Sequence, residues 1–478
     1  MTGSWDVIVV GAGTAGIPTA IHAAQRGAKV LLVEASDRVG GTLHLSSGSM
    51  SAAGTTLQRS KNIEDSPEKH FKEGLRINHG TGNHTMMRLW QDHAAAAYEW
   101  LISIGMKYPE NQPVAAQGHE PYDTARICTP KNAGVGYIDA LKPALEAEIA
   151  KGGIQLRLKT EMTDLIVDGA HGVRGIQVKT AEGKSEDIHG RNVVLASGGY
   201  AYNETMCREI HNRPRRVHTN PYSMGTGIQV ARKYGAQLEG AEELITTFGG
   251  TVCLDDPNKY WIHTRSQPTM RDPWEIFVNL KGERFMAEDD PSPDRRERAL
   301  MLQDDWACWC IYDQAIVDRS PTPYFLWDEA KVARAFSGNN PNYCKADTLE
   351  GLAKITGLPA RTLKETVKRY NDGQAVGSDA FGRKFMPASI GTGPFYAVKL
   401  YALSVVSFAG ITVDTNLRVL DAAKKPIPNL YAVGEMLGMG IFGNAYLGGS
   451  SVSGAITLGR LLGHQVLDWS AARAMAAE

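Results

Sequence analysis

The sequence predicts an α/β architecture in which one domain of strands and helices is built from both ends of the chain and a second, α+β domain is inserted between them. Three observations support it. A strand-turn-helix-strand unit with three spaced glycines opens the chain, an apolar strand near residue 435 ends in Gly-Glu, and residues 238–387 carry neither pattern.

Asp6 is followed by the β-branched run to Val10, which reads as a buried strand. Gly11, Gly13, Ala15 and Gly16 come next, then an alanine-rich helix to Gly27, a second strand from Lys29 to Val33, and the acid Glu34. Each glycine has its own physical reason in such a unit. Gly11 permits a sharp turn, Gly13 lets the backbone approach a pyrophosphate, and Gly16 lets helix and strand pack closely. The helix N-terminus offers unpaired N–H groups to phosphate, while Glu34, 18 residues beyond Gly16, can accept hydrogen bonds from a ribose diol. Strand, helix, spacing and acid together indicate a Rossmann-like dinucleotide site.

Helices are expected over residues 86–104 and 136–151, where apolar positions recur at helical spacing. Segments 154–158, 162–167 and 172–180 alternate polar and apolar residues as an antiparallel meander would. Residues 192–199 read as a buried strand whose end, Ser197, Gly198 and Gly199, meets a cofactor; residues 427–435 read as another, ending in Gly434 and Glu435. A last helix is expected over 455–469. The domain boundaries follow: 1–237 with 388–478 for the discontinuous domain, and 238–387 for the inserted capping or substrate domain.

Composition removes several classes of function. Lys and Arg total 51 against 52 Asp and Glu, a net charge of −1, so no nucleic-acid or polybasic membrane surface is indicated. Hydrophobic residues make up 43% of the chain, with no apolar run near the roughly 20 residues a transmembrane helix needs. The N-terminus lacks a secretory pattern, which points to a cytoplasmic protein. Six cysteines are scattered without metal-site, heme-attachment or iron–sulfur spacing, so no metal is expected and any electron partner is external. The 50 glycines among 478 residues exceed the usual share of about 7%, and they cluster where backbone would pass close to a cofactor.

The segment after Glu34 narrows the cofactor. Glu34, five residues and then Gly40-Gly41-Thr42, leading into residues 43–50, resembles FAD-binding proteins. Segments 51–68, 196–200, 277–289, 411–436 and 444–463 are similar, in order, to the flavoprotein family of soluble fumarate reductases, succinate dehydrogenase flavoprotein subunits and 3-ketosteroid dehydrogenases. The resemblance implies a Rossmann-like FAD-binding domain of the glutathione-reductase type and a mobile capping domain that closes over the flavin. It assigns Gly11, Gly13, Ala15, Gly16 and Glu34 to the ADP half, with Met162 near the adenine. It places Gly41, Thr42, Ser47, Gly48, Ser49, Ser197, Gly198, Thr226, Gly434, Glu435, Ser450, Ser451 and Val452 along the ribityl chain and ring. Membrane-bound members attach FAD to a histidine; Thr42 stands at that position and His44 two residues on, which implies non-covalent FAD.

The departures from the family bear on substrate. At the positions where fumarate reductases clamp a dicarboxylate with cationic side chains, this chain has Phe248, Phe408 and Tyr446. The proton-donating arginine expected about four residues after Glu288 is missing, and Arg295, Arg296 and Arg298 read as a solvated helix face. Arg271 matches an arginine of the family's proton path, but its Glu neighbour is replaced by Pro268. An uncharged, aromatic set suits an apolar molecule bearing a carbonyl. Tyr446 lies in Tyr-Leu-Gly-Gly, similar to the Tyr-Pro-Gly segment with which 3-ketosteroid dehydrogenases polarise a ketone. The expected reaction is hydride transfer to or from flavin N5 at the carbon β to a carbonyl of an apolar, cyclic substrate, with Tyr446 on the enolate oxygen and Tyr122, in the 118–129 loop, handling the α-proton. An unsaturated-carboxylate reductase with an unusual clamp, and a flavin electron-transfer subunit without activity of its own, stand as alternatives.

Overall fold

A strand as apolar as Trp5–Val10 needs neighbours on both sides and cover on both faces, and it finds them at the centre of an eight-stranded sheet where Val7, Ile8 and Val9 are fully buried. The computed structural model describes residues 5–468 except 117, 170–171, 213–215, 263, 269, 326 and 339. It divides into two units: Met1–Arg215, Thr219–Leu244 and Val406–Glu478 form the first, Arg216–His218 and Ile245–Val405 the second.

In the first unit, Trp5–Val10 lies between Val30–Val33 and Ser185–Leu195, all parallel, and the sheet extends through Ile154–Arg157 on one side and Pro426–Ala432 on the other. The helices follow the expected spacing, with shifted ends. His84–Ser103 starts where the Asn83 side chain accepts the Met86 N–H, and Val135–Ala150 precedes the edge strand. Ile154–Arg157 departs from the expected meander. The crossover through Val135–Ala150 returns it parallel to Val30–Val33, so the antiparallel meander consists of Glu161–Asp168, Gly172–Lys179 and Ser185–Leu195. The C-terminal helix runs Ser450–Gln465 and starts five residues earlier than expected; the end of the expected helix, Trp469, lies outside the described residues.

The second unit is an antiparallel sheet with helices, which fits an α+β inserted domain. Phe395–Leu403 is its central strand and pairs with Thr247–Cys253, Ala307–Asp313 and Tyr343–Ala346. Both boundaries shift for this reason of pairing. The unit continues to Val405, past residue 387, because the central strand belongs to it; it starts at Ile245, after residue 237, because Leu238–Glu239 pairs with Gly410–Ile411 of the first unit. Inside it, Glu288 accepts from Phe277 N at 3.0 Å, Arg284 Nε at 2.8 Å and Arg383 Nη1 at 3.0 Å, while Arg271 holds Glu275 bidentately at 2.9 and 2.8 Å. Buried Glu288 thus ties segment 277–289 to Arg383 within this unit.

Helix against helix, Gly16–Gln25 packs on Ser450–Gln465. Thr19 Oγ1 donates to Gly459 O at 2.9 Å, and a Cβ on Gly459 would overlap Ala15 O. Gly459→Ala is therefore expected to lower unfolding free energy by about 1–3 kcal/mol, read as a reduced denaturant midpoint. An unchanged midpoint would mean the two helices can separate freely.

Candidate functional site

The glycine turn after the first strand has the geometry its sequence predicts. Gly11 has φ of 104°, and a Cβ there would collide with Ala196 O; a Cβ on Gly16 would collide with Gly11 O. Gly13 differs from both. A Cβ there would meet only Gly41 Cα, at 3.9 Å, so the side of Gly13 facing away from its own chain is open. The helix that follows has Ala15 at its N-cap, with no side chain capping its first N–H groups. Glu34 closes the turn: Oε2 accepts Ala12 N at 2.8 Å and Oε1 accepts Ser36 N at 2.9 Å. The Thr160 N–H bonds to Glu34 O at 2.9 Å, which brings the strand carrying buried Met162 to the edge where the resemblance puts the adenine.

Residues 41–51 run from this turn to the start of the C-terminal helix. Gly41 faces Gly13, and Thr42 sits in the 3-10 turn Gly41–His44, in which His44 Nε2 bonds Val39 O at 3.0 Å. Gly48 has no room for a Cβ against Gly134 N, while Ser47 is exposed and Ser49 Oγ shares a hydrogen with Thr129 Oγ1 at 3.0 Å. Met50–Ser51 pairs with Ile127–Cys128, and Ser51 N donates to Gly449 O at 3.3 Å. Just past the strand Ser185–Leu195, Ser197 lies against Gly227 of the helix Thr226–Lys233 and donates to Met436 Sδ at 3.3 Å, while the space beside Gly198 is open. Gly434 has φ of 72° and lies against the Ala15 side chain; Glu435 Oε1 accepts Ser407 N at 2.8 Å, and burial raises its carboxyl above the usual range.

The C-terminal helix begins at Ser450 with Gly449 as an uncapped N-cap; Val452 is buried, and Ser450 Oγ is buried with no partner among the described residues. Two uncapped helix N-termini, an orphaned hydroxyl and an open glycine turn joined by residues 41–51 fit an extended dinucleotide with a phosphate bridge. The residues assigned to the ADP and flavin halves all belong to the first unit.

Tyr446 lies beside that helix. Its hydroxyl is hydrogen-bonded to Ser451 Oγ, and its ring stacks on His119, with centroids 4.1 Å apart. Burial raises the Tyr446 hydroxyl and pushes His119 down to about 4, so both are neutral near pH 7. Tyr122 is not a surface-loop residue. It is buried, 3.4 Å from His70 Nε2 and under the Arg126 guanidinium, and burial raises its pKa so far that it stays protonated. Arg126 in turn holds Asp65 at 3.0 and 2.8 Å and Glu73 at 3.0 Å, a buried triad that pins the 122–128 loop and gives segment 51–68 a positioning role. Phe408 is buried in the first unit, with its carbonyl accepting Gly440 N at 2.9 Å.

Phe248 belongs to the second unit, against Phe277 at 5.2 Å between ring centroids. Beside it, one of the three arginines expected on a solvated face lies elsewhere. Arg295 is exposed and paired with Asp290, and Arg298 pairs with Asp294, as a solvated face would have them. Arg296 is 1% exposed: its guanidinium lies 4.8 Å from the Phe248 ring, it donates to Ser266 O, and its Nε has no partner among the described residues. Burial lowers it to about 10. Helix Pro293–Met301 turns this one position inward against Thr247–Cys253, which three nearby arginines on one short helix cannot reveal. His119 was also invisible, because its stack with Tyr446 joins segments far apart in the chain.

A family model described as FAD binding domain matches residues 6–452. A probable fumarate reductase of Shewanella frigidimarina is 30% identical over 461 residues, covering 96% of this chain and 74% of that one. A vinyl phenol reductase of Lactiplantibacillus plantarum is 28% identical over 506 residues, covering 98% and 97%. Among solved structures, a 3-ketosteroid Δ1-dehydrogenase of Sterolibacterium denitrificans superposes with a TM-score of 0.76 at 22% identity, covering 98% of this chain and all of that one, a likeness of fold. No helix among the described residues is long and apolar enough to cross a membrane.

The open side of Gly13 gives a discriminating test. Gly13→Val should abolish retention of the flavin yellow colour through gel filtration while leaving the melting temperature of the cofactor-free protein unchanged. A variant that keeps its flavin would remove Gly13 from the phosphate site.

Proposed function

This chain belongs to the FAD binding domain family, the flavoproteins of the fumarate reductase and succinate dehydrogenase type, and we propose that it desaturates or reduces the carbon–carbon bond α,β to a carbonyl of an apolar, cyclic, 3-ketosteroid-like molecule. It is an FAD-dependent oxidoreductase. The single observation that carries the substrate proposal is the uncharged set at Tyr446: a phenol held by Ser451 and stacked on a neutral imidazole, where an acid-binding relative would need a cation. The vinyl phenol reductase, a relative of matching length, supports a substrate without a carboxylate.

Bound flavin supplies the site that takes or gives hydride at the β-carbon. The chain does the rest. N–H groups at Ser450, Ser451 and Val452, at the uncapped start of the C-terminal helix, would stabilise negative charge on the bound flavin, and Glu435 would accept from its ribityl chain. With Thr42 where a histidine would form the bond, and His44 engaged by Val39 O, FAD is held non-covalently. Tyr446 O–H, oriented by Ser451, donates to the carbonyl oxygen as enolate charge develops. Tyr122, protonated throughout the working pH range, serves as acid to the α-carbon in the reductive direction, with His70 Nε2–H donating to its oxygen and leaving the phenol proton free. Electrons are exchanged with an external donor or acceptor.

Arg296 favours a second reading, reduction of an unsaturated carboxylate, because a buried guanidinium with an unused Nε can hold an anion. The two make opposite predictions in thermal-shift measurements. Cyclic enones and 3-ketosteroids should raise the melting temperature of the holoenzyme and fumarate should not; stabilisation by fumarate that disappears in Arg296→Met would establish the acid reading instead. Tyr446→Phe should retain flavin but lower turnover by about 100- to 1,000-fold, the loss expected for one oxyanion donor. Unchanged turnover would remove Tyr446 from the chemistry.

A further inference from the structure

His119 has no place in the mechanism above, yet it stacks on Tyr446 at 4.1 Å between centroids with 29° between planes. If only packing were needed there, any flat ring would serve. The two nitrogens are in different situations. Nδ1 is buried and has no partner among the described residues, whereas the residue as a whole is only partly buried. A buried N–H without an acceptor is disfavoured more than a lone pair without a donor, so the neutral ring keeps its proton on Nε2. Burial keeps the ring from charging near neutral pH. The result is one fixed N–H donor on the ring edge, next to a phenol whose own oxygen can accept from Ser451 and so leave its proton free to point outward.

We propose that His119 Nε2–H and Tyr446 O–H form a neutral two-donor seat for one substrate oxygen, a ketone or enolate oxygen. This rests on the assignment of Tyr446 to the substrate carbonyl. An uncharged imidazole suits that position because it stabilises developing negative charge by hydrogen bonding without attracting a carboxylate in the ground state. The pair replaces a charged clamp with two donors of fixed direction and so selects a neutral carbonyl over an acid.

The test uses oxidised holoenzyme and p-nitrophenolate as the enolate mimic, with binding read from the flavin absorbance change and from the phenolate band. His119→Phe keeps a ring in the stack and removes the donor; His119→Gln restores a donor without the ring. His119→Phe should bind the phenolate about 10- to 100-fold more weakly at unchanged FAD content, the loss of one hydrogen bond to a charged oxygen. His119→Gln should recover much of that loss, and Tyr446→Phe should weaken binding comparably. Wild-type affinity in His119→Phe, with Tyr446→Phe impaired, overturns the His119 role and leaves the Tyr446 assignment standing. If the wild-type enzyme binds neither phenolate nor cyclohexenone but binds fumarate, the carbonyl reading falls and the two-donor seat with it. ¹⁵N spectra of histidine-labelled enzyme, with His119 identified by His119→Gln, should show an Nε2–H tautomer; a ring titrating near the ordinary value of about 6.5 contradicts it.

Discussion

Everything at the cofactor site depends on how closely backbone approaches the N-terminus of the helix Gly16–Gln25. Gly16 lies on Gly11 O, Gly459 lies on Ala15 O, and the turn at Gly434 lies on the Ala15 side chain, so segments more than 400 residues apart in sequence meet within one helical turn. No side chain fits at these approaches, and the helix start is left without a cap of its own. The same solution recurs at Gly449, where the C-terminal helix starts against Ser51 N. Two uncapped N-termini, with residues 41–51 running between them, suit a long, phosphate-bridged molecule.

The two units handle charge differently. Around Tyr446 the first unit offers neutral donors, and its buried ionic triad, Arg126 with Asp65 and Glu73, serves to fix the loop that carries Tyr122. The second unit buries Arg271, Arg284 and Arg383 with carboxylate partners, and Arg296 is set apart from these by its unused Nε. Removing one partner of such buried pairs costs more than the pair contributes, so these groups define geometry more than they add stability. Among the described residues, Arg296 has no carboxylate bound to its guanidinium in the way Arg271 has Glu275.

The parts of the site legible in sequence were those set by local backbone demands. Gly11 and Gly16 announce a sharp turn and a close helix–strand approach by spacing alone, and both are present in the structure. What escaped was decided by packing across the chain. Alternation in residues 154–158 reads as antiparallel, but the helix before it imposes a parallel return. The last helix, expected from residue 455, begins at Ser450, with Gly454 tolerated because the Phe442 ring occupies the space of its missing side chain. Arg296 differs from Arg295 and Arg298 only in which way the helix faces, and the His119 stack joins loops with no shared pattern.

The central claim is that the chemistry acts on a bond next to a neutral carbonyl. Anaerobic single-turnover spectroscopy tests it most directly: dithionite-reduced holoenzyme is mixed with a cyclic enone, a 3-keto-4-ene steroid or fumarate, and oxidised enzyme with the corresponding saturated compounds. The enone or steroid should restore the oxidised flavin spectrum, or its saturated partner should bleach it, while fumarate and succinate leave it unchanged. Rapid reoxidation by fumarate with no response to any neutral carbonyl compound would contradict it.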